Sequence, residues 1–439
     1  MKDFNVAILG CGTVGGGVAK ILTDMQNVLS DRSLRKIKLK KILELDPKKA
    51  MEKFDLSAEL FCGGGKILTK EEAGKFIKEV MESEDIDLVV ETIGGSNDFV
   101  ENLAIDVCKA KKHLVTANKA LLAERGTSIF EAAKQNDVTI GYEAAVCGAI
   151  PIIKTINQSF SGDSIISLSG IMNGTSNYIL SMMQNQGMDF QEALKMAQEN
   201  GYAEADPTLD INGGDAGHKL VILLRLAFGI EAGMNHFSIE GIENINKEDI
   251  EFAEEIGCKI KLICYAEKVD GKIYATVRPM MVKNSNFLSG VTGATNAVKV
   301  VNKYSGKHIL LGAGAGSFET ASSIVADIVF AARHPQSGIT WENENSLEIV
   351  DTSHFELPYI ITFETADVPG ITGDVTTAIG KQNINIDTVS HNRHMKDKAI
   401  FSIATMPCTL LQIEKAIDEI NKSNSGLLVS VPKIIPILI

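Results

Sequence analysis

Cysteine is scarce and unpatterned: the seven residues Cys11, Cys62, Cys108, Cys147, Cys258, Cys264 and Cys408 are odd in number, scattered, and form no C-x-x-C pair. A disulfide framework and a zinc site are thereby excluded, and reduced, mostly buried thiols in a cytosol are expected. Proline is sparse as well. With 10 Pro, 38 Gly, 45% hydrophobic and 23% charged residues, collagen-like, low-complexity and disordered chains are excluded. Basic residues are in deficit, with Lys plus Arg at 43 against 56 for Asp plus Glu and a net charge of −13, and no basic stripe could neutralise a phosphate backbone. No nucleic-acid partner is expected. No apolar run reaches the roughly 18 residues of a membrane span, and residues 1–10 run straight into a strand without a signal-peptide plan. The chain is expected to be soluble, unprocessed and cytoplasmic. Its 439 residues imply two to four domains at roughly 100 to 200 residues each.

What is present begins with an alternation of strands and helices. The run NVAILGCGTVGGGVAKIL from Asn5 reads as a strand, a glycine turn and a helix. Strands follow at Ile37–Leu45, Asp87–Thr92, His113–Thr116 and Val138–Gly141, with helices at about Phe99–Lys111 and Gly126–Gln135. Such an order implies a parallel sheet with right-handed crossovers, a Rossmann-type α/β domain over 1–141. Residues 142–314 carry antiparallel signals, including a hairpin turning at Asp270-Gly271, and two clear helices, from Asp189 to Gly201 and from Gly214 to Phe228. This is expected to be a second domain, of α+β type. A polar linker, His334–Thr352, precedes a third unit over 353–439 whose order is βαββαβ, a ferredoxin-like fold.

Gly10-x-Gly12-x-x-Gly15 follows a strand and opens a helix, so its glycines permit a tight turn, close backbone approach to a pyrophosphate, and close helix packing. Thr13 and Val14 lie in the same turn. At the end of the second strand stands Glu44-Leu45-Asp46, where an acid accepts a ribose 2′-OH and repels a 2′-phosphate, which favours NAD. The alternative is that these acids only solvate a turn while Lys48 or Lys49 reaches a phosphate.

In the second domain Glu204, Asp206, Asp210, Asp215 and Lys219 cluster in a glycine-rich context beside an apolar helix. Asp215 and Lys219 share a helical face at i, i+4, which an ordinary surface ion pair would also do. The density of acids points to a site for a cationic amino group. Lys119, after the fourth strand, lies at the carboxyl edge of the parallel sheet, where open α/β folds bind ligands; the bland alternative is a solvent-facing lysine. Asn173-Gly174-Thr175-Ser176-Asn177-Tyr178 offers small polar donors after a strand, or simply a turn and helix cap.

Taken in order, the Gly10 turn, TANKA at Thr116–Ala120, YEAAVCGAIPII at Tyr142–Ile153, NGTSNYIL at Asn173–Leu180, GYAEADP at Gly201–Pro207, the run from Asp210 to Lys219, and the glycines before Glu319 resemble homoserine dehydrogenase of the monofunctional type with a C-terminal ACT domain. The resemblance covers nearly the whole chain, and it implies that 142–314 is a substrate and dimerisation domain and that a segment at about 315–340 returns to the dinucleotide-binding domain. It implies reversible hydride transfer between NAD or NADP and L-aspartate 4-semialdehyde, giving L-homoserine. By motif it implies substrate binding by Glu204, Asp215, Gly174 and Thr175, and proton transfer and alkoxide stabilisation by Lys119 and Lys219, which are expected to weaken each other's hold on a proton. Cofactor contacts are implied at Gly10, Gly12, Thr13, Val14, Gly15, Glu44, Thr92, Lys119, Gly316 and Glu319. A Na⁺ or K⁺ site is implied at Glu143 and the carbonyls of Val146, Gly148 and Ile150, although Cys147-Gly148-Ala149 replaces a more glycine-rich triplet. Leu45, where NADP-preferring members carry Arg, strengthens the NAD reading, and Ala313 stands where Pro is usual. An amino-acid effector, threonine by pathway logic, is implied at Asp367, Pro369, Gly370 and Asn385, together with a homodimer or homotetramer. Rival readings are a dehydrogenase of another small amino-acid semialdehyde and a non-catalytic nucleotide-binding amino-acid sensor.

Overall fold

A computed structural model describes residues 2–334, 347–350, 352–395, 398–423 and 427–438. Two compact units divide the chain, one of Met1–Ile166, Asp215–Met234 and Thr295–Ser346, the other of Ser167–Gly214, Asn235–Ala294 and Leu347–Ile439. The grouping cuts across the boundaries drawn from sequence: the Asp215 helix and the 295–313 hairpin fall with the dinucleotide-type fold.

In the first unit, strands β1 (Asp3–Leu9), β2 (Lys36–Leu43), β3 (Leu88–Glu91), β4 (His113–Thr116) and β5 (Ile140–Gly141) form a parallel sheet in the order β2-β1-β3-β4-β5. Short apolar runs such as Val6–Leu9 and Leu88–Val90 make strands buried on both faces, as parallel sheets require. Val6, Ile8, Leu88, Val90 and Val115 pack with Val18 and Leu22 of the helix Thr13–Asp24 and with Ile324 and Ile328 of the helix Ser317–Arg333. Each large aliphatic side chain buried this way stabilises by about 1.5–3 kcal/mol. The chain leaves β1 for β2 on one side and returns to β3 on the other, so a crevice opens where the turns after β1 and β3 diverge.

One helix differs from expectation. The one expected from Gly126 starts at Lys119 and runs to Gln135, because the Asn118 side chain accepts from the Leu121 amide at 3.1 Å and caps it, and Gly126 is carried inside. The helix cap that was one reading of the Asn173 segment is present: Asn173 accepts from the Ser176 amide at 2.7 Å and caps a helix, Gly174–Gln186.

In the second unit the strands Cys258–Val269 and Lys272–Lys283 form the expected hairpin, with Asp270 and Gly271 both at positive φ. Part of the expected linker is a strand: Glu348–Val350 pairs in parallel with Lys272–Tyr274, while 335–346 and 351 lie outside the described residues. The C-terminal segment is ferredoxin-like, its strands ordered Lys433–Leu438, Tyr359–Ala366, Lys398–Thr405, Ile386–Met395. Its core joins Val375, Ile379, Ile413 and Ile420 of two helices to Phe363, Phe401 and Ile403 of the sheet. Among the described residues all seven cysteines are buried and none forms a disulfide, and no helix is long and apolar enough to cross a membrane.

Candidate active site

The crevice at the end of β1 is a cleft of about 580 Å³ lined by Gly10, Gly12, Glu44, Leu45, Thr92 and Ile93, among others. Its glycines are required by space. A Cβ on Gly15 would stand 2.1 Å from the Gly10 carbonyl oxygen, and one on Gly10, at φ +93°, would stand 2.7 Å from that of Thr92. Gly12 differs: a Cβ there would meet nothing within 4 Å, so its open side is free for a ligand to approach the backbone. The Thr92 hydroxyl donates to the Gly10 carbonyl at 2.7 Å, and Ser317 donates to the Thr13 carbonyl at 2.5 Å, bringing the Gly316–Glu319 turn beside the glycine turn. Glu44 accepts from the Cys11 amide at 2.6 Å and from the Leu45 amide at 2.9 Å. Its carboxylate therefore fastens the glycine turn to the end of β2 as well as facing the cleft. Leu45 is 43% exposed at the rim. Open Gly12, the amides at the start of the Thr13 helix, and an acid at the second strand fit a dinucleotide.

The Thr208–Ile211 and Gly214–Phe228 helices are separated by a short glycine turn, and the second carries Asp215 and Lys219 on one face. Asp215 is shared by two lysines of the same compact unit: Lys219 Nζ lies 2.7 Å from Oδ2, and Lys119 Nζ lies 2.9 Å from Oδ1. Side-chain exposure separates them, at 8% for Lys219, 9% for Asp215 and 41% for Lys119. Direct repulsion between the two ammonium groups, expected from sequence, is offset by the carboxylate standing between them. Between the Lys119–Gln135 and Gly214–Phe228 helices Glu124 lies 3.2 Å from His218 Nε2, and Arg225 donates to the Leu122 carbonyl at 2.9 Å, so their register is fixed along their length. Burial holds the His218 imidazole below its ordinary pKa.

Close to this trio the turn 143–150 carries Cys147 in the left-handed region at φ +57°, the conformation a glycine adopts without cost. The charges of Lys219, Asp215 and Lys119 all act on its thiol, which burial raises. Glu143 accepts from the Ile153 and Lys154 amides at 2.8 and 2.9 Å, and burial followed by the neighbouring Asp327 pushes its carboxyl up to about 7. The Gly148 carbonyl accepts from Ser323 at 2.8 Å and that of Ile150 from the Ile152 amide at 2.8 Å. These are oxygen donors of the kind a monovalent ion takes, each already sharing a hydrogen bond. Lys154 pairs with Asp327 at 2.6 Å beside them.

The second unit holds the remaining substrate-pocket candidates. Thr175 donates to the Tyr202 carbonyl at 2.6 Å, Asn173 to Asp210 Oδ1 at 2.7 Å, and Ser176 to the Asp210 carbonyl at 2.6 Å. The NGTS segment is thus laced to the Gly201–Asp210 loop, on which Glu204 is exposed. In the C-terminal segment Asp367 and Gly370 line a hollow of about 220 Å³; Pro369 and Asn385, both exposed, do not line it. Sequence reading passed over Glu91, Thr116, Asp327 and His218. Their common signal was a polar residue inside an otherwise apolar strand or helix.

A dinucleotide cleft at a sheet switch point, with a carboxylate-bridged lysine pair in the same unit, defines an NAD(P)-dependent oxidoreductase. Comparison with known proteins makes the class specific. Residues 10–143 match the family model for the homoserine dehydrogenase NAD binding domain, and residues 151–329 match that for homoserine dehydrogenase. The chain is 37% identical to the homoserine dehydrogenase of Neisseria gonorrhoeae over 401 residues, 89% of this chain and 88% of that protein. Identity to the Helicobacter pylori homoserine dehydrogenase is 38%, covering 92% of each. A crystal structure of a homoserine dehydrogenase from Thiobacillus denitrificans superposes with a TM-score of 0.90 at 33% identity, covering 100% of this chain and 99% of that one. The chain belongs to the homoserine dehydrogenase family.

Proposed function

We propose that the protein transfers hydride reversibly between NAD(P)H and L-aspartate 4-semialdehyde, giving L-homoserine. The observation that carries this reading is the Lys119–Asp215–Lys219 arrangement in the unit that bears the dinucleotide cleft. When bound, the nicotinamide supplies the hydride for the aldehyde carbon. As negative charge grows on the aldehyde oxygen, a protonated lysine fixed beside it stabilises the transition state more than the ground state. Lys219, buried and held by Asp215, steadies that oxygen; Lys119, more exposed, gives its proton to the alkoxide and regains one from water. In the direction of homoserine oxidation Lys119, in its neutral form, takes the hydroxyl proton as hydride leaves for the nicotinamide, and passes it to water. Within the first unit Asp215 is read as a contact for the substrate ammonium; within the second, Glu204, Gly174 and Thr175 are read as substrate contacts by the motifs they share with the family.

The geometry at Glu44 and Leu45 supports NAD over NADP. Glu143 and the carbonyls of Val146, Gly148 and Ile150 would hold Na⁺ or K⁺, which would brace the Cys147 turn; no step of the reaction runs through it. The C-terminal ferredoxin-like segment is read as an ACT module binding threonine at Asp367, Pro369, Gly370 and Asn385 in a homodimer or homotetramer. Oxidation of L-homoserine by the purified protein at alkaline pH, with NAD and NADP in parallel, tests the reading. Turnover is expected, faster with NAD at limiting cofactor. Absence of turnover with both would leave the amino-acid sensor, and preference for another amino-acid alcohol the alternative dehydrogenase.

A further inference from the structure

We propose that Glu91 is a positioning residue that holds Lys119 in register with the dinucleotide cleft through the hydroxyl of Thr116. The proposal rests on the reading of Lys119 given above. Glu91 ends β3 and is 1% exposed, yet its environment is built for a carboxylate. One oxygen accepts from the amides of Ile93 at 2.8 Å and Gly94 at 3.0 Å, in the turn that lines the cleft. The other accepts from the Thr116 hydroxyl at 2.6 Å, directly across the β3–β4 ladder. That hydroxyl in turn accepts from the Asn118 amide at 3.0 Å. Asn118 donates its side-chain amide to the Gly95 carbonyl at 2.6 Å and caps the helix whose first residue is Lys119.

Every proton in this relay is assigned. Two amides point at one oxygen of Glu91. Thr116 has a single hydrogen, which goes to the other oxygen, so its lone pair faces the Asn118 amide. Donors at strand ends must be met, and Glu91 meets two amides of the turn after β3 directly and, through the Thr116 hydroxyl, one of the turn after β4. The turn at Thr92–Ile93 and the start of the Lys119 helix are therefore fixed to a common buried point, in addition to the exposed hydrogen bond between Asn118 and Gly95. A small displacement of a reacting group costs turnover more than it costs binding.

Three variants test this. In Glu91→Gln the carbonyl oxygen can still face the Ile93 and Gly94 amides, but the new NH₂ faces Thr116, whose hydrogen loses its acceptor; the defect falls on the Lys119 side. Thr116→Val keeps the shape and removes the relay, while Thr116→Ser keeps the hydroxyl. With L-homoserine as substrate, Glu91→Gln and Thr116→Val are expected to lower kcat by about tenfold or more with the dissociation constant for the dinucleotide within about threefold of wild type. The double variant should be no slower than the worse single one, since both break the same relay. Thr116→Ser should restore most of kcat. Loss of thermal stability alone, with kcat within about twofold of wild type in both Glu91→Gln and Thr116→Val, would overturn the proposal, as would multiplicative losses in the double variant. Lack of turnover in the wild type would overturn the functional reading, and this inference with it.

Discussion

Asp215→Asn removes the carboxylate that two ammonium groups share, and the two halves of that interaction differ in burial. The Lys219 pair is closed off, with 8% and 9% side-chain exposure, whereas Lys119 is 41% exposed. Breaking a buried pair by removing one partner costs about 3–5 kcal/mol, because the other charge is left without compensation. A pair with one partner in water is worth about 1 kcal/mol or less. The Asn variant is therefore expected to lose about 3–4 kcal/mol, nearly all of it through Lys219. Double-mutant cycles in urea denaturation separate the halves. Asp215→Asn with Lys219→Met should show a coupling of about 2–4 kcal/mol, and Asp215→Asn with Lys119→Met less than about 1 kcal/mol. Equal couplings, or a Lys219 coupling below about 0.5 kcal/mol, would refute the argument that burial makes the Asp215–Lys219 pair the structural half of the trio.

Other outcomes follow from the cleft and from a buried lysine elsewhere. Gly12→Ala should keep its thermal midpoint but weaken dinucleotide binding by about tenfold or more, while Gly15→Ala should lose about 1–3 kcal/mol of stability from the overlap with Gly10, so equal effects in thermal melts and binding titrations would contradict the assignment of the open side. Leu45→Arg should move the ratio of kcat/KM for NADP over NAD upward, and an unchanged ratio would show that the 2′ position of the ribose lies elsewhere. Lys261 is buried on the strand Cys258–Val269 and donates to Asn177 at 3.0 Å and to the Val291 carbonyl at 2.7 Å. Burial, followed by the charge of Lys259, lowers its pKa from 10.5 to about 7. Between those values the unfolded chain holds more protons than the folded one, so this lysine's contribution is present at high pH and is lost as pH falls from about 10.5 to about 7. Lys261→Met should flatten that slope in urea midpoints measured across the window, and an undiminished slope would assign it to other groups.

Much of the site was legible because its parts are local. The glycine turn is a strand, turn and helix within one short run, and Asp215 and Lys219 meet because a helix brings i and i+4 together. The partnership of Asp215 with Lys119 was not legible, since it needs the packing of two helices far apart in sequence. Glu91 reads in sequence as the polar end of an apolar strand, and only the neighbouring β4 gives it Thr116. The late start predicted for the Lys119 helix came from reading Gly126 as a boundary, when the Asn118 cap sets the start and packing carries the glycine. One grouping was not legible for a similar reason: the apolar helix Gly214–Phe228 is joined to the first unit by Arg225 and His218, polar residues whose partners lie on the Lys119 helix or follow the Asp215 helix itself.

Catalysis here turns on the lysine pair acting on the substrate oxygen, and the most direct measurement is the turnover of Lys219→Met with L-homoserine and saturating NAD or NADP, set beside the variant's dinucleotide affinity. A fall in kcat of about a thousandfold or more with binding of the dinucleotide nearly unchanged is the predicted result. A folded variant that keeps kcat within about tenfold of wild type would contradict it.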